Sequence, residues 1–140
     1  MVARMVEPRI LIVESDNALR QTLYRAMLDL ELFSDCAGEV REAIGFLSKT
    51  RYSIVVLDVA VAGGYDKVTA AVQRMPETER PIVIATAESD HLARVDGEGV
   101  QVIIRRPLRV RDIAELARAC VDTSGRRRAK AATARDELRA

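Results

Sequence analysis

Tryptophan is absent from the 140 residues, and the aromatic side chains stop at Tyr24, Phe33, Phe46, Tyr52 and Tyr65. So thin an aromatic complement excludes the stacking platforms on which proteins lay out single-stranded nucleic acid. Charge of one sign is lacking too: 22 Lys and Arg stand against 21 Asp and Glu, a net charge of +1. Whole-chain electrostatics therefore give no case for a nucleic acid or an acidic membrane as partner. No apolar run approaches the ~20 residues of a membrane span. Charges also interrupt the first nine residues, where a signal peptide would need its apolar stretch. The chain reads as cytoplasmic. Its two cysteines, Cys36 and Cys120, have no metal-ligand spacing and read as buried free thiols. The one histidine, His91, reads as a surface residue.

What is present is a single domain's worth of ordinary globular sequence. Hydrophobic residues make up 49% and charged residues 31%, a balance that excludes a disordered chain. The basic residues are unevenly spread. From Thr123 onward the segment carries +4, which leaves the rest of the chain at −3. The boundary falls at 122–125, a polar stretch ending in a helix-stopping Gly. Residues 8–122 are thus expected to form the domain. Residues 123–140 read as a basic, Ala-rich tail, disordered or a frayed helix, with no apolar stripe by which to dock. Nothing in that tail is long or apolar enough to make an output domain.

Short apolar runs recur at 10–13 (ILIV), 54–57 (IVVL), 82–85 (IVIA) and 100–104 (VQVII). They are rich in β-branched residues with almost no polar alternation, as in strands buried on both faces of a parallel sheet. A fifth run, 32–36 (LFSDC), is more polar and suits an edge strand. Amphipathic segments lie between: Leu19, Leu23, Met27 and Leu30; Val40, Ala43, Ile44 and Leu47; Val68, Val72 and Met75; Val110, Ile113, Leu116, Ala117 and Val121. Asp16 or Ser15 is placed to cap the first. A helical segment at 88–95 is brief. This alternation is a (βα)5 pattern, an α/β fold with helices on both faces of one doubly wound, five-stranded parallel sheet.

In open α/β sheets ligands bind beyond the carboxyl ends of the strands. After Val13 come Glu14, Ser15 and Asp16; after Leu57 comes Asp58; after Ala85, Thr86; after Ile104, Arg105 and Arg106. Taken singly, Glu14, Ser15 and Thr86 read as helix-starting residues, and Arg105 and Arg106 as solvated ones. Two acids, a hydroxyl and a guanidinium at the ends of four central strands are harder to dismiss. A flavodoxin-like cofactor binder is disfavoured, because Glu14, Ser15 and Asp16 put negative charge where a phosphate loop would lie.

The blocks 10–20 (ILIVESDNALR), 56–63 (VLDVAVAG), 84–88 (IATAE) and 104–108 (IRRPL) resemble those of bacterial response-regulator receiver domains, in the family's order, over residues 8–122. The resemblance implies a flavodoxin-like fold with strand order 2-1-3-4-5. It also implies a two-component signalling role rather than an enzyme. An aspartate there accepts a phosphoryl group from a sensor histidine kinase or phosphotransfer protein with the help of Mg2+. Carried over, Asp58 is the acceptor, and Thr86 and Arg106 are the groups that meet the phosphoryl oxygens. Glu14, Asp58 and the Ala60 carbonyl hold the metal, and the Arg106–Pro107 bond is cis. Output runs to a downstream protein or a homodimer through the face of the fourth helix, fifth strand and fifth helix.

The sequence departs from the family's pattern at four points. Ser15 replaces a second acidic metal ligand, which weakens Mg2+ binding. Arg106 replaces a lysine and could instead pair with Asp58 and close the pocket without metal. Ala62 replaces a proline, and Gly63-Gly64 reads as a turn. Ile103 stands where a large aromatic often switches rotamer. Two functions stay open: a phosphoacceptor, and a pseudo-receiver that keeps the fold as a phosphorylation-independent interaction module.

Overall fold

The structure, a computed structural model, describes residues 9–88 and 99–123. Its strands are β1 (Arg9–Val13), β2 (Phe33–Ala37), β3 (Ile54–Asp58), β4 (Ile82–Ala87) and β5 (Val102–Arg105). Between them run α1 (Asn17–Asp29), α2 (Val40–Lys49), α3 (Tyr65–Gln73) and a 3-10 turn at Glu77–Glu79. A last helix, α4, covers 110–123. The strands form one parallel sheet in the order β2-β1-β3-β4-β5.

Successive residues of a strand point to opposite faces, and here both faces are covered. Leu11, Val13, Val55, Leu57 and Val83 pack with Val40, Ala43 and Leu47 of α2 and Val68 and Val72 of α3. Ile10, Ile12, Ile54, Val56 and Ile84 pack on the other side with Leu23 and Met27 of α1 and Ile113, Ala114 and Ala117 of α4. β3 is buried along its whole length, which is why its run shows no polar alternation.

The expectation of four central strands needs correction. Only β1, β3 and β4 have strands on both sides; β5 is the second edge, opposite β2. Its alternating burial, with Ile103 exposed, follows from having only one neighbouring strand. Strand β5 begins at Val102 because Gln101 closes the entry: its amide oxygen accepts from the Val83 N–H at 2.7 Å. The third helix stops at Gln73, and Met75 joins the core from beyond its end. Cys36 and Cys120 are free but only half-buried, each thiol pushed up by partial burial. Helix α4 is described as far as Thr123. His91, most of the 88–95 segment and the rest of the tail lie outside the described residues.

Far from the carboxyl ends of the strands, Asp35 of edge strand β2 accepts from the Tyr52 hydroxyl at 2.6 Å and from Arg9 at 3.2 Å. Tyr52 is nearly wholly buried; burial and the Asp35 carboxylate together push its phenol well above its ordinary range. This cluster ties the edge strand to β1 and to the entry of β3.

Candidate functional site at the carboxyl edge of the sheet

Three strand ends meet around Asp58. The ladder between β3 and β4 sets Asp58 opposite Thr86. Glu14 follows β1 directly, its own N–H donating to the Ala37 carbonyl at 3.0 Å. Arg106 follows β5, and its N–H donates to the Ala87 carbonyl at 2.9 Å. Glu14, Asp58 and Thr86 are each at most 5% exposed. The Arg106–Pro107 peptide is cis, as expected.

One guanidinium nitrogen ties the pocket together. Arg106 Nη2 lies 2.8 Å from Glu14 Oε2, 3.3 Å from Asp58 Oδ1 and 3.3 Å from Thr86 Oγ1. The sequence reading anticipated an Arg106–Asp58 pair. The shortest contact is instead to Glu14; Nη2 donates to Glu14 and Thr86 and forms an ion pair with Asp58. Asp58 Oδ1 also accepts from the Ala60 N–H at 3.0 Å. Ala60 thus meets the carboxylate through its N–H.

Burial, then the neighbouring Asp58 carboxylate, pushes Glu14 up to about 7; Arg106 pulls it down but does not win. The two carboxylates thus press on one another in a buried site, and Arg106 is the cation between them.

Asp16 is the cap of α1, its carboxylate accepting from the Leu19 N–H at 3.0 Å. Its side chain is thereby engaged away from the pocket, and Ser15 is exposed. Gly63 and Gly64 have φ of 103° and 91° and make the turn expected after β3. Among the described residues no three His, Cys, Asp or Glu side chains gather into a metal-binding cluster. Mg2+ takes six oxygens in near-ideal octahedral geometry. This pocket offers two carboxylates, and Arg106 Nη2 stands within 3.3 Å of both, in the space a bridging ion would take.

The sequence reading missed Arg20. Its Nη1 donates to the Glu14 carbonyl at 2.8 Å and its Nη2 to Asn17 Oδ1 at 2.6 Å, pinning the loop between β1 and α1. A contact that leaves a helix to grip the preceding loop has no periodic signature.

Solved structures share this architecture. The chain superposes on a CheY-like response-regulator receiver domain from Methanospirillum hungatei with a TM-score of 0.75 at 16% identity, covering 87% of this chain and 99% of that one. A receiver domain from Clostridium thermocellum gives 0.72 at 15% identity, over 84% and 97%. The fold is that of a response-regulator receiver domain. In sequence, this chain is 27% identical over 115 residues to the transcriptional regulatory protein PmrA of Pectobacterium parmentieri, 81% of this chain and 52% of that protein. The chain thus spans about half the length of this relative. No protein-family model matches it. Among the described residues no helix is long and apolar enough to cross a membrane.

Proposed function

We propose that this chain is a receiver module of two-component signalling and that Asp58 accepts a phosphoryl group. The observation that carries this is the convergence of Asp58, Thr86 and Arg106 at one pocket. In the step, an Asp58 carboxylate oxygen attacks the phosphorus of a phosphohistidine on a kinase or phosphotransfer protein. The new O–P bond forms as the P–N bond breaks, and the departing imidazole takes a proton from water. A carboxylate is a modest nucleophile, so the gain comes from holding it in line. Phosphoryl transfer is otherwise a matter of positioning and charge, and Arg106 and the Thr86 hydroxyl are placed to meet the oxygens of the arriving group. The module then speaks to a downstream protein partner.

The Arg106 contacts to both carboxylates favour a second reading, a pseudo-receiver whose pocket is permanently closed. Incubation with acetyl phosphate or phosphoramidate, with Mg2+ and with EDTA in parallel, followed by intact-mass measurement, separates the two. The phosphoacceptor reading expects a phosphate-sized gain that is lost in Asp58→Asn. No gain under any of these conditions overturns it and leaves the pseudo-receiver.

A further inference from the structure

We infer that the Arg106 guanidinium is the resident cation of the Asp58 pocket, taking the seat a divalent ion would need and keeping the native protein from binding one there. This rests on reading the pocket as a receiver's phosphoryl site, but its test measures metal affinity and not phosphotransfer.

Three observations carry it. First, a single nitrogen, Arg106 Nη2, lies within 3.3 Å of both carboxylates and of Thr86 Oγ1. A metal bridging Glu14 and Asp58 would have to displace that nitrogen from the space between them. Second, the Arg106 side chain is only 20% exposed and follows a backbone anchored to Ala87, so it is held over the pocket rather than swung out to solvent. Third, the side chains that could add oxygen donors do not serve: the Asp16 carboxylate caps α1, and Ser15 is exposed and brings no charge.

The residue type matters as much as its place. An arginine stays protonated at any accessible pH, so it cannot yield to a metal by giving up its proton. It also presents several donors to a phosphoryl group, where a lysine offers a point charge. Arg106 is thus suited to neutralise the empty pocket and to receive the phosphoryl oxygens with no change in the number of bound ions.

The test is a Mn2+ titration followed by the EPR signal of the free ion, on the whole chain and on Asp58→Asn, Arg106→Gln, Arg106→Lys and Arg106→Gln/Asp58→Asn, with far-UV circular dichroism to confirm folding. The native protein is expected to show no saturable site up to ~10 mM. Arg106→Gln is expected to bind at least ~10-fold more tightly, because a repelling charge has gone and two carboxylates are released. The gain should vanish when Asp58→Asn is added. Arg106→Lys, the variant less liable to unfold, should bind more tightly than the native chain and less tightly than Arg106→Gln. Sub-millimolar binding by the native protein that Asp58→Asn abolishes overturns the inference. So does a folded Arg106→Gln, or a folded Arg106→Lys if the former does not fold, that binds no better than the native chain.

Discussion

Glu14→Gln should stabilise the protein, and the gain should grow with pH. Burial, together with the Asp58 charge, raises the Glu14 carboxyl from an ordinary 4.5 to about 7. In the unfolded chain it loses its proton near 4.5, whereas in the folded chain it keeps that proton until near 7. A carboxyl with a raised folded-state value favours the fold at low pH and progressively loses that contribution as pH climbs between the two values. Gln copies the neutral form, oxygen acceptor for Arg106 included, and has nothing to ionise. The expected gain of Glu14→Gln over the parent is under about 1 kcal/mol at pH 5, about 2 at pH 6 and about 3 at pH 8, close to the plateau. Urea unfolding of both proteins at these pH values, followed by circular dichroism and analysed with a common slope, measures the difference. Stability curves that run parallel from pH 5 to 8, or a Glu14→Gln protein less stable at pH 8, refute the claim that burial outweighs the Arg106 pair.

Two glycines should respond with opposite signs. Gly63→Ala forces φ of 103° on a residue with a side chain and brings its Cβ to 3.0 Å from Val40 Cβ, so a loss of about 1–3 kcal/mol is expected. Gly45→Ala lies inside α2, where a new Cβ meets nothing within 4 Å, and should gain about 0.5–1 kcal/mol in the same urea assay. Tyr52→Phe removes a hydroxyl donating at 2.6 Å to Asp35 and should lower stability by about 1.5–3 kcal/mol. Hydrogen exchange should report the loosening first at β2, the edge strand that this bond secures.

Much of the architecture was legible because burial on two faces leaves a plain mark in sequence. The runs at 10–13, 54–57 and 82–85 sit inside β1, β3 and β4, and the polar run at 32–36 overlaps edge strand β2. The last run misled about burial: Val102, Ile103 and Ile104 read as fully enclosed, yet an edge strand with one neighbour leaves Ile103 in solvent. Of the two candidate caps for α1, sequence alone could not choose, since Ser15 and Asp16 both suit the role; the Leu19 N–H chose Asp16. At the pocket, strand-end position made Glu14, Asp58, Thr86 and Arg106 visible as a set. It could not say how a long side chain would distribute its donors among three acceptors. That depends on χ angles, as does the reach of Arg20 back to Glu14.

The Asp58–Thr86 pairing has a consequence for how such a module changes over time. Their separation is dictated by ladder register, and sliding β4 along β3 would turn a whole core inside out. Loops around the rim can therefore lengthen or shrink while the spacing between nucleophile and hydroxyl persists. A lineage can trade one charge for another at positions 14, 15 or 106 and inherit a differently tempered cup on an unaltered chassis.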